Sequence, residues 1–475
     1  MVTASQLAAL ARTLPSVEAS ADAIAADFYD RLFAARPDLL RDRFNRGEHA
    51  QGRQARELAR TIVALAEAII DAAPGSGTSS SARAAETLHP TARQAGAPTL
   101  AGSTAAEITS RLAQRHAALG IRPGDYAVFE TSLREAMRAS LASDHDTAAD
   151  EAWTALYRQV TDEVAATVTD LYAKADLEPD EEWREALVTE HRIEAEDVVA
   201  LTLVSADSEA LPRYRAGQFA SVQVELPDGA HQIRQYSLRG GHDEQWRISA
   251  RVLDGGGFVP DGEVSQHLRD AIAVGSIVRV SPPIGSLTID ELDDAPLLFV
   301  SAGIGCTPVL GMLDHLSRTE PARRVTVLHF ERTPERHAHR AELEALVAGM
   351  PNASLRVSYT QGSLSALGAG AAGAGDGSAG GAGGGGAGAG STGGGPVAFA
   401  GESIDGPGSY LDPIDLGTVA LTPQHRVFLC GPVPFMAIAR AALIEHGVEA
   451  DRVHYFVFGP DDGSVTGIDT GQRRR

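Results

Sequence analysis

The stretch RQYSL, residues 234–238, is the strongest single motif of the chain and lies within a β-rich segment. Short runs of strand-forming residues surround it, with turn residues between them: HRIEAEDVVALTLVSA at 191–206, QFASVQVEL at 218–226, WRISARVL at 246–253 and SIVRVSPPIG at 276–285. Short strands separated in this way predict a small β-barrel or sandwich. We therefore predict a β-barrel domain over residues 186–290.

The pattern changes on the C-terminal side of the barrel, at about residue 296. Apolar strands now alternate with helical patterns: LLFVSA at 297–302, RVTVLHF at 324–330, SLRVSYT at 354–360 and HRVFLCG at 425–431. This alternation predicts a parallel α/β sheet over residues 295–460. Residues 363–396 are nearly all Gly, Ala and Ser, and such a segment buries too little apolar surface to offset its ordering entropy. We predict a disordered insert there and a frayed tail over 461–475.

The N-terminal block, residues 1–178, is predicted to be all-helical. Leu7, Leu10 and Leu14 recur at helical spacing, and a long last helix is expected from about Asp150 to Lys174. A Ser-, Thr-, Ala-, Gly- and Pro-rich stretch at 75–105 interrupts this block and reads as an enlarged surface loop. The predicted fold class is therefore multidomain: an all-α domain, then a β-barrel, then an α/β domain.

Composition excludes several classes of protein. The 475 residues carry a formal net charge of -22, which disfavours binding to a phosphate backbone. The two cysteines, Cys306 and Cys430, form no Cys-x-x-Cys pattern, which suits a reducing compartment and argues against a thiolate zinc site. The N-terminal stretch reads as a helix rather than a signal peptide, and no apolar run is long enough to span a bilayer. A cytoplasmic protein without nucleic-acid or membrane partners is expected.

Four motifs of the helical block fall in an informative order. They are FYDRLF at 28–33, FNRG at 44–47, GRQARELA at 52–59 and QRHAALGIRPGDY at 114–126. In this order they resemble the globin domain of the flavohaemoglobin family. The resemblance covers nearly the whole chain outside the two inserts and the tail.

The resemblance implies a haem b whose iron is bound by His116. The second ring nitrogen of such a histidine needs a hydrogen bond to fix its orientation and basicity. Tyr126 and a carboxylate at the position of Asp170 are implied to form this relay, although the family has the longer glutamate there, so a water can intervene. The residues implied on the haem face and around its gaseous ligand are Phe44, Leu58 and the two hydrogen-bond donors Tyr29 and Gln54.

RQYSL resembles the Arg-x-Tyr-Ser signature of the ferredoxin reductase superfamily. The resemblance implies that Arg234 pairs with the pyrophosphate of FAD, that Tyr236 packs on its isoalloxazine and that Ser237 hydrogen-bonds near the reactive nitrogen. EVSQHL at 263–268 puts Ser265 at a helix start, where backbone amides can bind phosphate. The remaining positions implied in FAD binding are Phe219, Gln235 and Val264.

Three further motifs indicate a nicotinamide site. VSAGIGCTPVLGML at 300–313 follows an apolar strand and opens a helix, where glycines and helix-start amides suit a pyrophosphate. LCGPVPFM at 429–436 and HYFVFGP at 454–460 resemble the second nucleotide motif and the C-terminal element of the family, in which Phe458 covers the flavin ring. The implied residues are Ser301, Ala302, Gly303, Ile304, Gly305, Cys306, Thr307, Cys430, Gly431, Pro432, Val457, Phe458, Gly459 and Pro460.

The chain also departs from the family pattern. Arg115 stands where the family has lysine and Phe456 where it has glutamate, at positions expected between flavin and haem. Their joint change is expected to affect electron transfer. His329, Arg332 and Arg336 follow the second strand of the last domain, where a 2′-phosphate could be read. They are equally plausible as solvated charges, so NADH and NADPH both stay open.

The activity that the resemblance implies is nitric oxide dioxygenation. NAD(P)H reduces FAD, FAD reduces the haem iron, and nitric oxide and oxygen are converted to nitrate, with the cofactors carrying the chemistry. One alternative is a reductase that makes superoxide or reduces hydroperoxides. A second is a globin gas sensor whose redox domain only keeps the iron ferrous. The expected partners are small molecules, namely O2, NO and NAD(P)H, and a monomer is expected.

Overall fold

The computed structural model describes residues 2–73, 104–141, 146–175, 182–207, 209–240, 244–255, 261–290, 293–360 and 419–456. The predicted tail and the insert at 363–396 lie outside these ranges, and the insert at 75–105 does so apart from its last two residues.

The N-terminal part is helical. Its helices are α1 (Ala4–Ala35), α2 (Pro37–Asp42), α3 (Arg46–Ala50), α4 (Arg53–Asp71), α5 (Ala105–Leu119), α6 (Tyr126–Leu141) and α7 (Thr147–Lys174). Thr3 begins α1 with a capping box to Gln6, which satisfies two backbone donors of the first turn. The long helix α1 packs against α4, α6 and α7. The faces of these helices share one apolar core that includes Leu10, Ile24 and Leu32.

The middle part is an antiparallel barrel. Its strands are β1 (Arg184–Ala195), β2 (Val198–Ser205), β3 (Phe219–Glu225), β4 (His231–Ser237), β5 (Gln245–Arg251) and β6 (Ile277–Val280), with helix α8 (Glu263–Asp270) before β6. The strand order is β4-β3-β6-β1-β2-β5. A bridge between Arg239 and Arg247 joins the chain after β4 to β5, so the two ends of the sheet meet. Full closure leaves few exposed edges.

The last part is a parallel sheet covered by helices. Strands β7 (Leu297–Ala302), β8 (Val325–Glu331), β9 (Ala353–Tyr359), β10 (Arg426–Cys430) and β11 (Val453–Phe456) alternate with α9 (Cys306–Thr319), α10 (Arg340–Ala348) and α11 (Val433–Glu445). Their order is β11-β10-β7-β8-β9, so β7 and β10 are neighbours at the point where the order reverses. Ligands of such sheets bind outside the carboxyl ends of the strands at this point.

The predicted fold class is confirmed: a helical part, an antiparallel barrel and a parallel α/β sheet follow one another. The helical part and the barrel are in contact, because Ile284 and Phe219 of the barrel pack on the helical core. Among the helices of the described ranges, none is both long enough and apolar enough to cross a membrane.

Candidate functional site

His116 lies in the last turn of α5. This helix begins with a capping box between Thr104 and Glu107 and ends at Gly120, whose φ of 63° is the left-handed conformation that favours glycine. Burial lowers the pKa of His116 to about 4, so its imidazole is neutral at physiological pH. A neutral ring nitrogen is what a metal ion needs.

Tyr126, the first residue of α6, faces the ring of His116. Its hydroxyl oxygen lies 3.1 Å from His116 Nδ1, and burial raises the pKa of Tyr126, so the phenol stays protonated. If Nε2 keeps its lone pair for iron, Nδ1 carries the proton and donates it to the phenol oxygen. The described geometry therefore fits a haem ligand whose orientation is fixed by Tyr126.

Asp170 is a correction to the sequence-based prediction. This residue of α7 is exposed to solvent and makes no described hydrogen bond to Tyr126 or His116. Tyr172 of the same helix lies behind the histidine instead, and its hydroxyl donates to the carbonyl of Ala117 at 3.3 Å. Two residues along a helix correspond to about 200° of rotation, so Asp170 and Tyr172 face opposite sides.

The predicted distal residues come together around a buried aromatic cluster. The ring of Tyr29 stacks with that of Phe33 at 5.5 Å and meets Phe44 edge-on at 6.0 Å. Burial raises the pKa of Tyr29 to about 12, so its hydroxyl remains a donor. Gln54 is buried on α4, where its amide nitrogen donates to the Asn45 carbonyl at 3.4 Å and its side-chain oxygen, an acceptor, has no partner among the described residues. Leu58, one turn further on, packs against the same core.

Arg115 and Glu57 form an ion pair at this pocket that the sequence analysis did not include. The charge of Arg115 adds to the effect of burial in lowering the pKa of His116, and it partly offsets the rise that burial causes in the pKa of Tyr29. Glu57 follows Gln54 by three residues on α4 and therefore shares its face of the helix. That spacing was the available signal for a carboxylate at the pocket.

The RQYSL motif supplies residues 234–237 of β4. Its neighbour is β3, where Phe219 pairs with Ser237 and Gln235 pairs with Ser221. Tyr236 packs at the edge of the barrel core, and burial raises the pKa of its phenol. The Arg234 side chain is half-buried and donates to the Asn45 side chain at 2.9 Å. A half-buried guanidinium beside a motif tyrosine is a donor set that suits a flavin pyrophosphate.

Helix α8 carries the second predicted flavin element. Its first-turn amides have no side-chain cap, which leaves them available to an anion. The Ser265 hydroxyl, in contrast, accepts from the amide of Leu253 at 3.1 Å and donates to the carbonyl of Gly262 at 3.0 Å. Val264 is buried in the barrel core. We therefore expect Ser265 to contribute through the backbone of its turn.

The nucleotide motifs after β7 and β10 touch each other. Gly303–Gly305 form a short 3-10 turn before α9, and Gly305 is the point of closest approach. A Cβ added at Gly305 would lie 2.4 Å from the Cys430 carbonyl oxygen and 2.9 Å from the Gly431 nitrogen. Only glycine fits here, and the bare backbone forms a cradle of the kind that a dinucleotide needs.

Other residues of the nucleotide motifs have internal roles. Ser301 hydrogen-bonds the His329 ring at 2.9 Å, and Thr307 donates to the Ile304 carbonyl at 3.0 Å. Burial raises the pKa of Cys306 to about 12 and also that of Cys430, so both free thiols are unreactive. Ala302 is buried, and Pro432 precedes α11. Val457, Phe458, Gly459 and Pro460 lie outside the described residues.

Arg251, at the end of β5 in the barrel, was missed by the sequence analysis. A Cβ on Gly303 would lie 2.7 Å from its guanidinium, and its ion pairs to Glu331 and Asp197 each measure 3.3 Å. Arg251 is thus a cation next to the glycine turn. Two of the residues considered for binding a 2′-phosphate have other roles in this structure. His329 is buried, and Arg336 forms an ion pair with Asp197 at 3.5 Å.

Comparisons with known proteins agree with this arrangement. A globin model matches residues 99–164, and an oxidoreductase NAD-binding domain model matches residues 299–373. The flavohemoprotein of Bordetella pertussis (strain Tohama I) is 30% identical over 455 residues, covering 94% of this chain and 96% of the relative. The chain belongs to the flavohemoprotein family. It is accordingly an NAD(P)H-dependent oxidoreductase that joins a globin to a flavin reductase.

Other flavohemoproteins and one solved structure extend the match. The relative from Chromobacterium violaceum is 29% identical and covers 95% of this chain and 96% of the relative. The crystal structure of flavohemoglobin from Malassezia yamatoensis with bound FAD and heme is 26% identical and has a TM-score of 0.74. That match covers 96% of this chain and 100% of the solved chain.

Within this flavohemoprotein, Phe456 packs as an apolar core residue. It ends β11 with its side chain in the apolar core of the parallel sheet, and its ring stacks with that of Phe428 at 6.2 Å. His454, two residues earlier, contacts the same ring, as strand alternation requires. The expected place of Phe456 between flavin and haem stays a prediction, and Glu57 is an acidic partner of Arg115.

Replacing Tyr126 with phenylalanine should weaken haem binding about 10-fold, because second-shell partners of a metal ligand contribute about 10–100-fold in affinity. Haem transfer to an excess of apomyoglobin measures the loss rate, and the iron–histidine stretching band should shift. The control is Asp170→Asn, which we expect to leave both readouts unchanged because Asp170 is exposed. A larger effect of Asp170→Asn than of Tyr126→Phe would show that Asp170 does act in the hydrogen-bond relay behind His116.

Proposed function

We propose that this chain is an NAD(P)H-dependent nitric oxide dioxygenase that uses haem and FAD. When bound, these groups supply the redox chemistry: FAD accepts hydride from NAD(P)H and delivers single electrons to the haem iron, where nitric oxide and oxygen give nitrate. The observation that carries the proposal is the pair of polar side chains in the distal pocket. Tyr29 keeps its proton because burial raises its pKa to about 12, and the Gln54 amide nitrogen, which has two hydrogens to donate, gives one to the Asn45 carbonyl at 3.4 Å.

On the proximal side, His116 would hold the haem and Tyr126 would hold His116. The Tyr126 oxygen, 3.1 Å from Nδ1, would accept a hydrogen bond from the ring. This orients the other ring nitrogen, Nε2, away from Tyr126. On the distal side, Tyr29 offers a hydrogen bond to a small polar ligand, whereas Leu58 and Phe44 restrict the space for water. Such an arrangement favours the retention of a polarised diatomic ligand over its early release.

In the reductase part, the chain's own residues bind and orient. Arg234 and the uncapped first turn of α8 would hold the phosphates of FAD, and the glycine turn at Gly303–Gly305 would receive NAD(P)H. The FAD-binding barrel and the glycine turn are neighbours in the fold, because Arg251 at the end of β5 reaches the glycine turn.

The test of the activity is nitric oxide consumption with NADH and oxygen present. We expect sustained turnover, with one nitrate formed for each nitric oxide consumed, and no turnover when NADH or oxygen is withheld. Release of superoxide or peroxide as the main product would favour the reductase alternative. Consumption that continues over many turnovers without NAD(P)H would contradict both.

Replacing Tyr29 with phenylalanine should speed oxygen release from the reduced protein about 5-fold or more, since one hydrogen bond is worth about 1 kcal/mol. Stopped-flow displacement of oxygen by carbon monoxide measures the rate. NADH-dependent ferricyanide reduction serves as the internal control, because it uses only the reductase part and should not change. An unchanged oxygen release rate would remove Tyr29 from the distal role.

A further inference from the structure

The segment between α2 and α3 connects the haem pocket with the flavin motif. On one side, Phe44 packs its ring against Tyr29 and Phe33 in the distal cluster. On the other side, Gln232 of β4 is fully buried against the backbone of the segment. Its amide nitrogen donates to the carbonyls of Arg41 at 3.0 Å and Phe44 at 3.2 Å. The segment is thus held by both the globin and the barrel.

Arg46, the first residue of α3, joins two parts of the flavin region. Its guanidinium contacts Asp228 of the β3–β4 turn at 2.6 Å and Glu263, the first residue of α8, at 2.8 Å. These ion pairs are partly exposed, so they contribute modestly to stability. They nevertheless fix α3 above the strand and the helix that would hold FAD.

Asn45 makes the central contact. Its side-chain oxygen accepts from the amides of Gly47 at 3.0 Å and Glu48 at 3.3 Å, which caps α3. The same oxygen accepts from Arg234 Nη2 at 2.9 Å. The other terminal nitrogen of Arg234 donates to the carbonyl of Ile233 at 2.7 Å. One atom of the globin part therefore helps to hold the arginine of the flavin motif.

We propose that Asn45 is a positioning residue for Arg234 and thereby couples the affinity for FAD to the occupancy of the haem pocket. A half-buried guanidinium that loses a hydrogen-bond partner is held less firmly in one orientation. Haem in its pocket would hold Phe44 in place and thereby order the segment. Asn45 is then fixed within hydrogen-bond distance of Arg234. When the pocket is empty, this constraint weakens and FAD binding weakens with it. Such a coupling is reciprocal, so FAD must strengthen haem binding by the same factor.

This inference rests on the haem- and FAD-binding part of the proposed function and not on the reaction with nitric oxide. Its tests therefore measure cofactor affinity alone. A protein that fails as a dioxygenase could still show the coupling, and an active dioxygenase could lack it.

The first test separates the two roles of Asn45. Serine is as good a helix cap as asparagine, but its oxygen is one bond closer to the backbone and does not reach Arg234. Aspartate keeps both contacts. In the full-length, haem-loaded chain stripped of FAD, quenching of flavin fluorescence should give an FAD Kd about 10-fold higher for Asn45→Ser, as expected for one hydrogen bond to a charged group. Asn45→Asp keeps the geometry but adds a negative charge that competes with the FAD phosphates for Arg234, so its FAD Kd should also rise.

The matched control is Asn352→Ser. Asn352 donates to the Ala322 carbonyl at 2.7 Å in the last part of the chain, far along the sequence from the flavin motif. It should leave the FAD Kd unchanged. An Asn45→Ser chain with a normal haem spectrum and a wild-type FAD Kd would overturn the positioning role.

The second test needs no substitution. The rate at which the wild-type chain transfers haem to apomyoglobin is measured with FAD saturating and with FAD removed. We expect haem loss to be several-fold faster without FAD, and Asn45→Ser to reduce this difference. Equal rates with and without FAD in the wild type would overturn the coupling.

Discussion

The His116→Ala variant is expected to purify without haem. The His116 imidazole fits a haem ligand because it is buried and neutral. Its Nδ1 lies 3.1 Å from the Tyr126 hydroxyl. Loss of a second-shell partner alone lowers metal affinity about 10–100-fold, so loss of the ligand itself should exceed about 100-fold. The Soret absorbance per chain measures this directly, and nitric oxide consumption should fall to background.

The reductase half of the same variant should remain active. With FAD added in excess, to offset the coupling through Asn45, NADH-dependent ferricyanide reduction should stay near the wild-type rate. The control is His446→Ala, an exposed histidine at the end of α11, which should keep its haem. A full Soret band in His116→Ala would mean that another side chain binds the iron.

Local motifs made the fold class and the main site residues predictable. RQYSL, the glycine turn and the histidine segment each lie on one continuous element, and the order of the elements along the chain indicates the architecture. The pairing of β7 with β10 also follows from the two nucleotide motifs, because both must reach the same edge of a parallel sheet.

Contacts between distant elements were not predictable in this way. Arg234 and Asn45 are 189 residues apart, and their hydrogen bond depends on how the barrel docks on the globin. Arg251 reaches Gly303 only because β5 of the barrel faces the turn after β7. Neither contact leaves a periodic signal in the sequence.

One prediction depended on counting positions along a helix, and it fails for a geometric reason. The count that selected Asp170 is wrong by a rotation of the helix, since Tyr172 occupies the face toward His116. Phe456 follows the alternation of β11 into the apolar core, on the side of Phe428. An apolar residue at that position is stabilised by burial, which explains why the chain tolerates the change from a charged residue.

Substitution of Gly305 by alanine has the largest expected effect on the reductase. The new Cβ would lie 2.4 Å from the carbonyl oxygen of Cys430 and 2.6 Å from its carbonyl carbon. Both are backbone atoms of β10, which is paired along its length with β7, so they cannot rotate away as a side chain would. The glycine turn must move instead, and a displacement of about 1 Å at a positioning element costs about 100-fold in rate.

We therefore expect kcat/KM for NADH in ferricyanide reduction to fall about 100-fold in Gly305→Ala, while the haem and flavin spectra stay normal. Gly349→Ala is the matched control in the same part of the chain. Its Cβ would meet the nearest atoms at 3.5 Å, which is ordinary contact, and its φ of -74° suits alanine. The spectra decide between local and global damage, because a variant that merely misfolds would lose flavin as well. Normal spectra with a wild-type kcat/KM would show that NADH is bound elsewhere, since the turn cannot accept a methyl group without moving.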